Sequence, residues 1–550
     1  MSENQEIARA AGLVGLLTLF SRVAGLVRDA VVGYYFGTGL AADAFFVAFR
    51  TPNLLRRFVA EGAMSTAFIP VFTDYLTNRS RKEAVDAASA LTTLMAVGLA
   101  VLALAGVLFA PAWVTFFAPG FVGEPGKFAL TVTLTRWVFP YIFLISLVAL
   151  ASGILNSLRH FAAPAMSPIL LNLSMIGAAV FLCPRLATPV KGLAYGVILG
   201  GALQLMLQVP PLLRHGIRIL PRWNPRHEAV RRAMRLMVPM VFGAAVYQIN
   251  VMVDTILASV LPSGSVSYLW YAGRVFEFPL GIFAVALGTA ALPSFSAQAA
   301  RGAYGELRRS LQFSIRTANL IAVPATVGIM VLATPITSVL FQRGAFGYEQ
   351  AVLTAHALFA FALGLWSVSM VRLIVPAFYA MEDTRTPVMT AAAAFVANCG
   401  FSLLLMGPVA ATGESRLAAG IATLTQTMSV FDLRHAGLAL STSLAATVNL
   451  VLLVAVLRRR LGGLRLGLLP SFARSLAASV VMIPAVHYVA GLTQWSQPGH
   501  LLAHAGVLLA AVAVGILVFL VVIVALRGDE VQAASRLLRR RLVRQRDPQQ

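Results

Sequence analysis

Cysteine is nearly absent from this chain, with only Cys183 and Cys399 among 550 residues. Two cysteines exclude a disulfide framework, and both lie in or beside apolar segments, where they read as small core or lipid-facing residues. Charge is scarce too, at 12% of residues, and it is lopsided, with 21 acidic side chains against 43 Lys and Arg. The eight histidines form no HExxH pair and no Cys/His group with metal spacing. The glycines of Gly37-Thr38-Gly39 follow no strand, so they exclude a dinucleotide fold. The spacing upstream of Gly126-Lys127 fails for a phosphate loop. No nucleophile elbow is present. The chain therefore offers no catalytic motif and no metal site, and it reads as a protein that is not an enzyme.

What the chain has in abundance is hydrocarbon. Hydrophobic residues make up 59% and the mean hydropathy is +0.81. Such a composition describes an all-α, polytopic membrane protein. The net charge of +22 does not indicate nucleic acid, because the basic residues fall between apolar runs and not on one polar face. They suit an anionic inner leaflet. Apolar runs bounded by Pro, Gly and charge predict about fourteen helices, near 9–35, 42–75, 86–117, 129–157, 164–183, 191–213, 230–260, 266–298, 308–340, 350–380, 387–406, 436–457, 471–491 and 503–526. The first run lacks a cleavage site and reads as a retained helix. Alternate loops are rich in Lys and Arg, from Arg79, Arg81 and Lys82 to Arg458, Arg459 and Arg460, which places both termini in the cytoplasm. The moderately apolar stretch 407–435 reads as an external loop with a short helix on the surface. A basic cytoplasmic tail, 527–550, closes the chain.

Two stretches repeat each other at a separation of about 224 residues. Asp29, Phe46, Arg50 and Pro70 correspond to Asp254, Trp270, Arg274 and Pro293. Six helices per repeat, an even number, put both halves in one orientation around an axis along the membrane normal, with a substrate site between them. The expected organisation is a first lobe, 1–215, with helices 1 to 6, a second lobe, 216–460, with helices 7 to 12, and a further helix pair over 461–526. Gly196 and Gly200 form a GxxxG in the sixth helix, a signal for close helix packing.

The charges that remain inside the apolar runs are the candidate site. A charge at bilayer depth costs about 2.5 to more than 10 kcal/mol and persists only beside a partner or a wet cavity. Helix 1 carries Arg22, Arg28 and Asp29. In helix 2, Asp43, Arg50, Arg57 and Glu61 follow at intervals of seven, seven and four, one stripe of a helix, with Asn53 and Arg56 beside it. Thr51-Pro52-Asn53 is expected to disturb this helix and free backbone groups toward a cavity. Arg274 and Glu277 share a face in the second half. Ion pairs such as Arg28 with Asp29 and Arg57 with Glu61 account for part of this charge, but arginines exceed acids in helices 1 and 2. Guanidinium in excess suits an anion with phosphate or carboxylate groups. Asp254 in helix 7 and Asp383 near helix 11 are candidates for a proton or Na⁺.

Four stretches, FSRVAGLVRDAVVGYYFG (20–37), ADAFFVAFRTPNLLRRFVAEGAMSTAFIPVF (42–72), SGSVSYLWYAGRVFEFPLGIFAVALGTAALPSFS (263–296) and FYAMEDTRTPV (378–388), resemble the MurJ (MviN) family of lipid II flippases. That family belongs to the superfamily that also holds multidrug exporters and polysaccharide-lipid flippases. The resemblance implies fourteen helices in two lobes around a cationic cavity, alternating access, and residence in the bacterial cytoplasmic membrane. It implies lipid II, the undecaprenyl-pyrophosphate-linked muropeptide, as substrate, no cofactor, and membrane lipids and the peptidoglycan synthesis machinery as partners. It assigns Arg22, Arg28, Arg56 and Arg274 as cavity arginines, Asp29, Asp43 and Glu61 as cavity acids, and Asn53 as part of the motif. Helices 13 and 14 correspond to a groove for the lipid tail. Gly273 departs from the pattern by standing where other members have Asp, which leaves open what orients Arg274. The driving force is expected from membrane potential, Na⁺ or H⁺.

Two other readings compete with this one. A flippase for another polyprenyl-linked glycan, or a multidrug exporter of the same superfamily, shares the fold, but an exporter of cationic drugs needs an acidic cavity. A membrane glycosyltransferase or ligase needs acidic residues or His in a large external loop, and only Glu124, Glu414 and Asp432 with His435 are available.

Overall fold

The computed structural model describes residues 3–56, 65–410, 415–461, 468–497 and 499–526. The expected basic tail and the Arg57 and Glu61 positions lie outside them. Among the described residues the regular structure is helical, with an isolated β-bridge between Met406 and Asp432. The helices are α1 Glu3–Phe36, α2 Leu40–Arg56, α3 Ser65–Asn78, α4 Arg81–Leu108, α5 Ala110–Phe117, α6 Pro125–Val138, α7 Tyr141–Ser157, α8 Ala162–Gly177, α9 Lys191–Arg214 and α10 Glu228–Ser259. They continue as α11 Ser265–Pro279, α12 Val285–Ala300, α13 Tyr304–Val331, α14 Ala333–Phe341, α15 Tyr348–Leu363, α16 Leu365–Ala380, α17 Arg385–Leu405, α18 Arg416–Met428, α19 Arg434–Arg460, α20 Leu468–Ala490 and α21 Leu501–Ala525.

Nine helices among the described residues are long and apolar enough to cross a membrane, or ten if α15 and α16, bent by 42°, form one span. Two of the expected spans show interruption within their length. The run 129–157 divides into α6 and α7 at Pro140, and the run 266–298 passes through a π-helical segment, Leu280–Ala284, between α11 and α12. Pro140 brings no N–H to a ladder that would need one. A π-bulge takes up an extra residue without ending the helix.

Packing divides the chain into two units. The first holds residues 1–267, with Gly344–Phe346 and Pro408–Thr427. Its core joins Phe68, Phe72 and Tyr75 of α3 with Leu91 of α4, Ile154 of α7 and Val230 of α10. The long α4 starts at Ser80, whose hydroxyl accepts from the Glu83 amide at 3.3 Å, a Ser-x-x-Glu start. Packing thus groups α10 with the helices before it, although the sequence repeat pairs α10 with the second half.

The second unit holds Tyr268–Arg343, Gly347–Gly407 and the chain from Met428 onward. Phe295 of α12, Leu311 of α13, Phe378 of α16 and Leu453 of α19 form its core. The pair α20 and α21 packs through Met482, Val486, Phe519 and Ile523 against Leu332.

The GxxxG of α9 does what its spacing suggests. A Cβ on Gly196 would stand 2.7 Å from Ala178 Cβ, and one on Gly200 would stand 2.8 Å from Leu171. The Gly196 carbonyl accepts from Ser174 Oγ at 2.8 Å. Gly196→Leu is therefore expected to lower the thermal midpoint in detergent, by roughly 1–3 kcal/mol of overpacking. Gly98→Leu, with nothing within 4 Å of its Cβ position, serves as the neutral control. Fluorescence-detected size exclusion after heating reads both, and equal midpoints would refute this account of the α8–α9 contact.

Candidate functional site

A guanidinium in an apolar helix needs its donors taken up. Arg28 of α1 is buried, and its partners come from chain neighbours and from α8. Its Nε and Nη2 donate to Asp29 Oδ1 at 3.0 and 2.7 Å, and Nη1 donates to Asn172 Oδ1 at 3.1 Å. Asn172 Nδ2 donates in turn to the Ser21 carbonyl of α1 at 3.1 Å. The Arg28 guanidinium also stands 6.0 Å from the Phe49 ring centroid of α2, within cation–π range. Asp29 thus orients Arg28, as its adjacency in sequence suggested. Arg22, six residues earlier on α1, is half-buried.

The stretch of α2 around Pro52 departs from expectation. The helix runs through Pro52 to Arg56. Side chains serve its carbonyls at this point: Thr51 Oγ1 donates to Val47 O at 3.1 Å, and Asn53 Nδ2 donates to Phe49 O at 2.8 Å. These bonds flank the Ala48 carbonyl, which Pro52 leaves without its usual i→i−4 donor, and the helix continues through the proline. Asn53 Oδ1 accepts from Arg56 Nε at 3.3 Å, so the two candidates act on each other. Arg50 Nη1 donates to Thr255 Oγ1 of α10 at 2.7 Å.

Asp43, a cavity acid by the resemblance, is fully engaged within the protein. The side chain is 1% exposed and pairs with Lys127 Nζ of α6 at 3.0 Å. Its Oδ2 also accepts from the Gly264 amide at 2.7 Å. Its Oδ1 accepts from the Ser267 amide at 2.9 Å and from Ser267 Oγ at 2.6 Å. Lys127 Nζ reaches Ser263 Oγ at 3.0 Å and lies 4.2 Å from the Phe121 ring. A carboxylate so occupied has no lone pair to spare for a ligand. It caps, from a distant point in the chain, the first amides of α11, which a helix cannot satisfy itself.

In the second unit, Arg274 Nη1 lies 3.3 Å from Glu277 Oε2, and its guanidinium stacks 4.5 Å from the Trp270 ring centroid. Trp270, one turn before, and Glu277, one turn after, supply the orientation that Gly273 cannot. Both Arg274 and Glu277 are partly open to solvent or ligand.

The two cation candidates fare differently. Asp254 is half-buried in α10 with Asn250 Nδ2 at 3.5 Å. Asp383 stands two residues before α17, accepting from Thr386 N at 2.9 Å and Thr386 Oγ1 at 2.6 Å, and it pairs with Arg460 at 2.8 Å. Burial pushes the Asp383 carboxyl up, but the Thr386 bonds and the Arg460 charge more than offset this and hold it below the usual carboxylate range. Asp383 thus caps the start of α17 while it is paired with Arg460. Glu61 lies outside the described residues.

Sequence reasoning missed Lys127 and Asn172. Lys127 follows a glycine in a decoy phosphate-loop string, and 84 residues separate it from Asp43. Asn172 is a single amide in an apolar helix. The one available signal was polarity at a position where hydrocarbon is expected. Among the described residues no group of three or more His, Cys, Asp or Glu is placed to hold a metal.

Residues 32–506 match the family model described as Lipid II flippase MurJ. The lipid II flippase MurJ of Burkholderia cenocepacia is 37% identical over 499 residues, spanning 89% of this chain and 91% of that protein. The probable lipid II flippase MurJ of Vibrio cholerae is 38% identical over 402 residues, 72% of this chain and 77% of that one. Among solved structures, a lipid II flippase MurJ in an inward closed conformation superposes with a TM-score of 0.77 at 24% identity, over 94% of this chain and 99% of that one. An inward-facing MATE multidrug transporter superposes at 0.58 with 14% identity, over 82% and 94%. These two structures share the fold.

The buried pair makes a direct test. Lys127→Met leaves the Asp43 carboxylate buried beside an apolar chain, and removing one partner of such a pair costs about 3–5 kcal/mol. The double variant Asp43→Asn/Lys127→Met removes both charges and is expected to recover part of the lost thermal stability. A double variant no more stable than Lys127→Met would show that the two charges are not coupled.

Proposed function

The chain belongs to the lipid II flippase MurJ family, and from that premise we propose that it moves lipid II from the cytoplasmic to the periplasmic leaflet for cell wall synthesis. Family membership over most of the chain, together with arginines retained within apolar helices, carries this reading. It is a multi-pass helical protein of the bacterial inner membrane, and we place both termini in the cytoplasm from the alternation of basic loops. Its proposed partners are lipid II, membrane lipids and the peptidoglycan synthesis machinery that uses the delivered headgroup.

In the proposed cycle the pyrophosphate and the sugar-peptide headgroup are taken up by Arg22, Arg28, Arg56 and Arg274, while the polyprenyl tail stays in lipid beside α20 and α21. Three of these arginines have neighbours that orient them. Asp29 and Asn172 direct Arg28, Asn53 directs Arg56, and Trp270 and Glu277 direct Arg274. Bidentate donation from guanidinium fits phosphate oxygens. Glu61 completes the proposed set as a further acid. Rocking of the two lobes then exposes the headgroup on the other side. Membrane potential, at about 2.3 kcal/mol per unit charge per 100 mV, or a cation or proton at Asp254, biases the cycle. The excess of guanidinium disfavours cationic drugs as cargo.

Arg274→Ala is expected to weaken lipid II binding by the purified protein about ten- to a hundredfold, the equivalent of one hydrogen-bonded charge. It should also abolish rescue of a strain that depends on this copy, while the variant remains folded in the membrane. Arg22→Ala should behave alike. Binding of lipid II against undecaprenyl phosphate reads the headgroup contribution. Undiminished rescue by both variants would overturn the assignment.

A further inference from the structure

The stretch between α17 and α19 contains the short helix α18, and its faces divide into three sectors. At 100° per residue, Leu417, Ile421, Leu424 and Met428 fall within one narrow stripe. Leu417, Leu424 and Met428 are exposed at 46%, 48% and 38%, and Ile421 is half-buried. A neighbouring sector of small residues, Ala418, Ala422 and Thr425, is buried, and Thr425 Oγ1 accepts from the Val409 amide at 3.2 Å. The remaining face, with Arg416, Ala419, Gly420, Thr423, Gln426 and Thr427, is exposed and mostly polar. The helix opens on Ser415, whose Oγ accepts from the Ala418 amide at 3.4 Å. One sector therefore faces protein, one suits water, and the apolar stripe is open.

A short link joins α18 to α19. Only five residues, 429–433, separate the two helices. They are tied to the last turn of α17: the Val430 and Phe431 amides donate to Leu404 O at 3.0 and 3.2 Å, and Leu433 N donates to Leu405 O at 3.0 Å. Both α17 and α19 are apolar enough to span a membrane, so these bonds hold 430–433 at the depth where two spans end. There Val430, Phe431 and Leu433 are exposed at 69%, 57% and 41%, around an exposed Asp432 that pairs with Arg434 at 3.8 Å. Gly407, with φ +88°, turns the chain out of α17, and a Cβ there would strike the Asp432 side chain. The geometry holds an apolar strip at the end of two spans, next in the chain to the stripe of α18.

We infer that α18 and the Val430–Leu433 strip are an interfacial membrane anchor, with Leu417, Ile421, Leu424, Met428, Val430 and Phe431 inserted at the headgroup–acyl boundary of the bilayer. A helix with one apolar and one polar face lies in that plane, its apolar side sunk roughly 5–10 Å. Water is a poor neighbour for so long an apolar strip, and lipid is what the ends of two spans are surrounded by. The side of the membrane, the outer one, rests on the topology given under the proposed function. Insertion into lipid does not.

The test uses nitroxide labels on the full chain in vesicles of phosphatidylethanolamine and phosphatidylglycerol. Single variants Leu417→Cys, Leu424→Cys, Phe431→Cys, Thr423→Cys and Thr427→Cys are made in a Cys183→Ala/Cys399→Ser background. Labels at Leu417, Leu424 and Phe431 are expected to collide several-fold more with oxygen than with a water-soluble nickel chelate, and labels at the two threonines to show the reverse. Equal access of the chelate to every position would overturn the proposal, and so would labels at the apolar positions immobilised and reached by neither reagent, the signature of a protein cover. Reduction of the Thr423 label by an impermeant reductant in oriented vesicles reads the leaflet separately, so an inner location would correct the topology while leaving the anchor standing.

Discussion

Everything in this molecule stems from the expense of placing charge in hydrocarbon. Twelve per cent of the chain is charged, and several of the charges that enter the apolar helices are held by specific partners. Arg28 has Asp29 and Asn172, Asp43 has Lys127 and further bonds to Gly264 and Ser267, and Arg274 has Trp270 and Glu277. The alternative, an uncompensated ion at bilayer depth, is too costly to persist. A buried ion pair is nevertheless weak evidence for stability alone, since an apolar pair of the same shape often does as well. These pairs are better understood as fixing where donors and helix ends point.

The pairs fall into two chemical kinds. The Asp43 set is closed: both oxygens are occupied, and the result is a fixed start for α11. The Arg28 set is open: Asp29 takes two of its donors and Asn172 takes a third, and a planar five-donor group keeps others. The distinction separates side chains that looked alike as charges in apolar helices.

Much of the fold was legible from the pattern of apolar runs. Thirteen of the expected stretches begin within a few residues of a described helix, because hydropathy over a long window is insensitive to tertiary context. What the pattern did not show was internal breakage. Pro140, the π-segment at Leu280–Ala284 and the bend between α15 and α16 leave hydropathy unchanged. The site was legible in part. Arg28 and Asp29, Asn53 and Arg56, and Arg274 and Glu277 are neighbours in sequence as well as in space, so helical spacing found them. Asn172 and Lys127 act across 144 and 84 residues, and no local period encodes such a pairing.

The sequence by itself determined that the chain is a helical membrane protein, which family it resembles, and which helices carry its charge. Those properties depend on composition and on spacing along single helices, which are local. The tertiary structure alone decided that Asp43 is an anchor, that Asp383 is a helix cap paired with Arg460, that Trp270 and Glu277 orient Arg274, and that the segment after α17 carries an exposed apolar strip. Each of these depends on which atoms face one another across the fold. A carboxylate that is spent and one that is available have the same letter in the sequence, and only their neighbours distinguish them.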